Sequence, residues 1–264
     1  MPPLIKALHD GDRQVAAQAA TALGHIGKPA VPDLVRALRD QDGYVRSMAC
    51  YALGMIGPDA ADAAPALIER LTDSNVNIGA QAADALCRVG QPAVALLAAA
   101  LKNPDERIRA QSARALARMG PRARDSLPAL IEATRDRTDS VRENVVEAIG
   151  NVRPFSSDAV AALAAALKDE NIDIRIKAAQ GLGRAGRLAV PAIPELIAAL
   201  RDKQSLVRVG AVSALANLGP AATGAAPALR ELLKDDDESV RARSREALEK
   251  IEAESRPPPD PGRP

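Results

Sequence analysis

A repeat constrains this chain more than anything else in it. A β-branched residue recurs at Val15, Val45, Ile78, Ile108, Val141, Ile174, Val207 and Val240, and arginine follows it in six of the eight. The intervals are 30, 33, 30, 33, 33, 33 and 33 residues. Spacing of this kind marks a stack of small units, each burying its apolar face against its neighbours. Eight repeats result, 1–27, 28–57, 58–90, 91–120, 121–153, 154–186, 187–219 and 220–252, followed by a Pro-rich stretch, 253–264, expected to be disordered.

Each repeat is expected to form two helices. Eleven residues before the anchor stands a leucine in all eight (Leu4, Leu34, Leu67, Leu97, Leu130, Leu163, Leu196, Leu229), and seven have another leucine four residues on, Thr134 being the exception. That spacing is one helical face. Pro2, Pro32, Pro65, Pro128, Pro194 and Pro227 open the first helix, where a missing N–H costs nothing. The second helix is apolar at anchor offsets 0, +4, +8 and +11, in repeat 2 Val45, Ala49, Leu53 and Ile56, and a glycine at +12 stops it. No strand alternation competes. Repeat 5 should be the weakest, with Thr134 for leucine and Arg153 for glycine. Arg245, at a position that is small or apolar elsewhere, should mark a solvated end, whereas repeat 1 looks internal and suggests a fragment or an end-to-end contact.

Composition agrees with thin layers of closely packed helices. Apolar residues make up 47% of 264, yet there is one phenylalanine, Phe155, and no tryptophan. The net charge of +1 provides no field to gather nucleic acid or an anionic membrane. No secretory signal and no run of about 18 apolar residues is present. The expectation is a soluble, cytoplasmic protein with neither membrane nor specific nucleic-acid partner.

The segments "DQDGYVRSMACYALGMIG", "DENIDIRIKAAQGLGRAG" and "DKQSLVRVGAVSALANLG" resemble the short HEAT repeat of the phycobilisome-lyase type, and the resemblance spans residues 1–252. It implies an all-α fold, a right-handed α-α superhelical solenoid of about eight two-helix repeats, with the second helices lining a concave side. It also implies a structural ladder in which a turn aspartate pairs with an arginine six residues later: Asp40–Arg46, Asp136–Arg142, Asp169–Arg175, Asp202–Arg208 and Asp235–Arg241. Repeat 4 has Asn103 with Arg109, repeat 3 has Asp73 but Gly79, and repeat 1 has Asp10 but Ala16.

Both tyrosines fall in repeat 2. Tyr44, Met48, Tyr51 and Met55 are spaced 4, 3 and 4 apart, so they share a face of the second helix, turned away from its core face. The same offsets hold Gln14, Gln18, Thr21 and His25 in repeat 1, Asn77, Gln81, Asp84 and Arg88 in repeat 3, and Arg107, Gln111, Arg114 and Arg118 in repeat 4. Seven repeats are expected to keep this face mainly polar. The four residues either cover a gap between neighbouring second helices or form a recognition patch, the preferred reading, flanked by His25 and Arg88. Repeat 3 sums to −3 and repeat 4 to +3. Arg114 and Arg118, with Arg88 beside them, could hold a carboxylate or phosphate, or form a solvated face neutralised by Asp84, Glu143 and Glu147.

No catalytic constellation, metal-ligand set or cofactor motif emerges. An iron-dependent hydroxylase with this type of repeat uses His-Glu pairs, but His9 and His25 are each followed by other residues. Cys50 and Cys87 occupy small-residue packing positions. The preferred function is a non-catalytic scaffold that binds a protein or peptide on the concave face through repeats 1–4. The alternatives are a bilin lyase-like chromophore handler, with Tyr44, Tyr51 and Arg88 around a tetrapyrrole, and an engineered or fragmentary scaffold.

Overall fold

The boundaries of the helices follow from a few side chains per repeat. In the computed structural model, which describes residues 1–253, the turn before most second helices ends on Asp or Asn. The Asp42 carboxylate accepts the Tyr44 N–H at 2.8 Å, and Asp12, Asn75, Asp105 and Asn171 cap their helices in the same way. At the far end a glycine adopts positive φ, as at Gly57 (68°) and Gly186 (55°), a backbone state that side chains resist. No strand occurs among the described residues. Of the stretch 253–264, Ala253 closes the last helix, and 254–264 lies outside the described residues.

The chain divides into two compact segments at Arg153/Pro154, a repeat boundary. The first holds α1 (Pro2–Ala7), α2 (Arg13–Ile26), α3 (Val31–Ala37), α4 (Gly43–Ile56), α5 (Ala64–Arg70), α6 (Val76–Val89), α7 (Gln91–Ala100), α8 (Glu106–Met119), α9 (Leu127–Ala133) and α10 (Asp139–Asn151). The second holds α11 (Ser157–Ala166), α12 (Ile172–Ala185), α13 (Ile193–Ala199), α14 (Ser205–Leu218), α15 (Ala226–Glu231) and α16 (Glu238–Ala253). Even-numbered helices are the second helices of the repeats. In most of the 33-residue repeats the extra length is taken up by 3-10 turns such as Gly57–Ala63 and Gly120–Ser126, whereas none precedes α7 or α11. The prolines expected to open first helices stand in the first turns of α1, α3, α5, α9, α13 and α15.

The core is a thin aliphatic layer. Leu34, Leu67, Leu97, Leu130, Leu163, Leu196 and Leu229 are fully buried, as are the anchors Val45, Val141, Ile174, Val207 and Val240. Repeat 1 departs from the expectation. Its anchor Val15 is 39% exposed and Ile26 40%, because α2 has only the six-residue α1 beside it on that side. Repeat 5 also departs. The helix α10 ends one residue early, at an extended Val152, and the Arg153 guanidinium donates to the Gly150 and Val152 carbonyls at 3.1 and 3.2 Å in place of a glycine cap. Arg245 is exposed, as expected.

Candidate functional site

The ladder forms the frame on which the second helices are hung. Arg46 donates from Nη1 to the main-chain carbonyls of Asp40 and Gln41, and from Nε and Nη2 to the two carboxylate oxygens of Asp73 in the next repeat, at 2.8 and 2.9 Å. Arg109–Asp136 and Arg175–Asp202 repeat this bidentate arrangement, and Arg208–Asp235 keeps one contact at 2.6 Å. The expected six-residue pairing is therefore corrected. Arginines 46, 142, 175, 208 and 241 do bond the aspartate six residues back, but through its carbonyl oxygen. At Asp73, Asp136, Asp202 and Asp235 the carboxylate faces the arginine of the preceding repeat, 27 residues earlier, because the turns of these adjacent repeats stack. Each aspartate also accepts the N–H two residues on, as Asp73 does from Asn75.

These bonds set the charge states. The Arg46 guanidinium holds the Asp73 carboxyl below the ordinary carboxylate range despite burial. At Asp136, Asp202 and Asp235 burial opposes ionisation, and the facing arginine and main-chain N–H outweigh it, so these carboxyls too lie low.

Two rungs are altered. Ala16 cannot reach Asp40, and His9 takes the place, its Nε2 2.8 Å from the Asp40 carboxylate. Between repeats 3 and 4 the rung is missing at both ends. Gly79 stands where the arginine would be and Asn103 where the aspartate would be. The Asn103 side chain accepts the Asp105 N–H at 2.9 Å and its main-chain carbonyl accepts from Arg109 at 2.9 Å, but it offers no carboxylate to the preceding repeat. A Cβ on Gly79 would come within 2.9 Å of the Leu71 carbonyl oxygen, so the helix here lies against bare backbone. α6 and α8 pack far less closely than α4 and α6 or α8 and α10. A cleft of about 450 Å³ opens between them, floored by Ala80, Ala83 and Ala115 and walled by Arg107, Gln111, Arg114 and Arg118.

The stripe expected to recognise a partner is only partly open. The Tyr44 hydroxyl donates to the Arg13 carbonyl at 2.8 Å, and the Arg13 guanidinium lies 5.4 Å from its ring centre. Met55 lies against Gly24 of α2, where an added Cβ would meet the Met55 Cβ at 2.9 Å. Tyr44 and Met55 thus help close the α2–α4 seam, the packing alternative, and Tyr44 is not a free wall for a chromophore. Met48 is half-buried and Tyr51 is 43% exposed. His25 is exposed. Arg88 does not join Arg118: its Cδ lies 3.4 Å from where a Gly54 Cβ would be, on α4, while Arg118 forms an ion pair with Asp84. Arg107 pairs with Asp105 at 2.8 Å. Arg114 is exposed, with no carboxylate in ion-pair range among the described residues. The polar control also has an exception in repeat 7, where Leu206 occupies the Tyr44 position and is 63% exposed.

Burial pushes the Cys50 thiol up to about 12 and raises that of Cys87, consistent with packing positions. Among the described residues no group of three or more His, Cys, Asp or Glu side chains is placed to hold a metal ion, and no helix is long and apolar enough to cross a membrane.

Comparison with known proteins yields the fold and the family. Among solved structures an engineered protein aligns over 94% of this chain and 77% of its own, at 22% identity and TM-score 0.53. YIBA of E. coli aligns over 94% and 92%, at 20% identity and TM-score 0.53. The karyopherin Kap121p, solved bound to the extreme C-terminus of the protein phosphatase Cdc14p, aligns over 95% of this chain and 33% of its own, at 15% identity and TM-score 0.69. No curated protein matches significantly in sequence. The sequence profile of HEAT repeats matches residues 1–78, 64–150, 127–190 and 160–249. With its stacked two-helix units tied by an arginine ladder, the chain belongs to the HEAT-repeat family.

Proposed function

We propose that this protein is a non-catalytic scaffold that binds a protein or peptide segment along the concave face formed by the second helices of repeats 1–4. The observation that carries this reading is Tyr51. It is a 43% exposed aromatic on a face that is polar in the neighbouring repeats, and it stands beside half-buried Met48 on a helix whose other two stripe residues are anchored. A rigid aromatic with one open face, on a fixed helix, loses little entropy when a partner covers it. Kap121p, a solenoid with the same fold, holds the end of another protein chain, which supports this kind of role. A broad, shallow surface made of many repeats suits an extended chain better than a small molecule.

The test is a selection of displayed random peptides on the full chain, repeated with Tyr51→Thr. Tyr51 is exposed, so this variant should melt within about 0.5 kcal/mol of the parent, while its selected peptides bind about 2 kcal/mol more weakly. Met55→Gln is a poorer probe, since Met55 seals the seam over Gly24. Peptides that bind Tyr51→Thr as tightly as the parent would refute the role of this face.

A further inference from the structure

The missing rung between repeats 3 and 4 leaves more than a gap. Elsewhere in the first segment an arginine or a histidine faces the turn aspartates Asp40, Asp73 and Asp136, and neighbouring second helices close on one another. Here arginine and aspartate are lost together, three small residues of α6 (Gly79, Ala80 and, one turn on, Ala83) line the opening, and the facing wall carries three arginines. The loss of both members leaves no buried charge to be neutralised, so the cleft is stable while empty.

Its electrostatics are specific. Asp73 is engaged by Arg46 and Arg70, at 2.8 and 3.4 Å. Arg118 and Arg107 already have carboxylate partners in Asp84 and Asp105. Arg114, at mid-wall between Gln111 and Arg118, has none among the described residues. Val76, at the start of α6 and lining the same cleft, is 80% exposed, an aliphatic side chain with no cover. One guanidinium open to a planar bidentate acceptor and an apolar ledge therefore line one cleft large enough for one or two side chains. A phosphate polymer would need several free cations in line, and two of the three arginines here are already neutralised by exposed carboxylates.

We infer that the α6–α8 cleft is a specificity pocket for an acidic segment of a partner protein: a Glu or Asp carboxylate docks on Arg114 while a neighbouring aliphatic side chain of the same segment rests on Val76 and Ala80. This rests on the peptide-binding reading and adds the chemistry of the peptide.

The probes are a short fluorescein-labelled peptide of alternating Glu and Leu, its Gln-for-Glu counterpart and a single-stranded oligothymidylate. Each is titrated by anisotropy into the full chain and into Arg114→Ala, Tyr51→Thr and Arg245→Ala. Melting checks that Arg114→Ala, an exposed substitution, folds as the parent does. The Glu peptide should bind at least about tenfold more tightly than the Gln peptide. Arg114→Ala should abolish that preference, and Arg245→Ala, in the other compact segment, should leave it intact. Equal binding of the two peptides, a preference that survives Arg114→Ala, or displacement of the Glu peptide by oligothymidylate at comparable concentration would each overturn the inference. If both peptides bind equally and both weaken with Tyr51→Thr, the acidic pocket fails while the peptide-binding reading stands. If neither peptide binds, and display selection also returns none, both fall.

Discussion

At the scale of single residues, the ladder divides into a buried part and an exposed part with different consequences. The side chains of Arg46 and Asp73 are 12% and 2% exposed. Removing the arginine leaves a buried carboxylate with only the longer Arg70 contact and the Asn75 N–H, so Arg46→Ala should cost about 3 kcal/mol in chemical denaturation. Arg39 and Glu69, 64% and 49% exposed at 3.6 Å, join the same two repeats in water, and Arg39→Ala should cost less than about 0.5 kcal/mol. Equal costs would mean that the rungs do not hold the repeats. His9 makes the first rung titratable. Its hydrogen bond to the Asp40 carboxylate raises its pKa above 6.5 against the opposing effect of burial. Because the folded value is the higher one, the stabilisation is complete below about pH 6.5 and disappears as pH rises through the folded value. The histidine is 47% exposed, so the effect should stay below about 1 kcal/mol. An NMR titration of His9 checks this. A midpoint at or below that of an unstructured histidine would contradict the rung.

At the scale of elements, helix ends and faces were largely legible in the sequence, because the signals that set them are local. Proline in a first turn, Asp or Asn before a second helix and glycine after it act within one or two turns of chain. What escaped was whatever depends on the neighbouring repeat. The six-residue Asp–Arg spacing was visible, but it reflects a bond to a main-chain carbonyl; the carboxylate partner is 27 residues away, and only stacking of the turns reveals it. A trace of it was present in the joint absence of Arg at Gly79 and Asp at Asn103. Likewise the spacing of Tyr44, Met48, Tyr51 and Met55 showed a shared stripe, but not that two of its four members lie in the seam with α2. Small residues show how decisive the neighbour is. Gly183 in α12 would receive a Cβ at ordinary contact, 3.5 Å from Ala214 Cα, whereas at Gly79 the nearest atom is a carbonyl oxygen at 2.9 Å. Helix propensity alone favours alanine at both sites by about 1 kcal/mol. Gly183→Ala should therefore stabilise, and Gly79→Ala should destabilise or break even. Stabilisation by both, measured in urea, would show that α6 can move off Leu71 freely and that its position is not fixed.

At the scale of the whole molecule, the array carries its differences as departures from a common pattern. The rung is missing between repeats 3 and 4, one stripe is aromatic in repeat 2, and a compact boundary falls at Arg153/Pro154 where repeat 5 lacks its glycine cap. The first two lie in the same compact segment, where a bound peptide would cover both. Hydrogen exchange of the full chain, free and saturated with a peptide obtained by display selection, tests this most directly. Exchange should slow in α4, α6 and α8 and stay unchanged in α12, α14 and α16. Protection confined to the second segment, for example around the apolar groove of Val160, Ala164 and Leu188, or no change in α4 and α8, would contradict it.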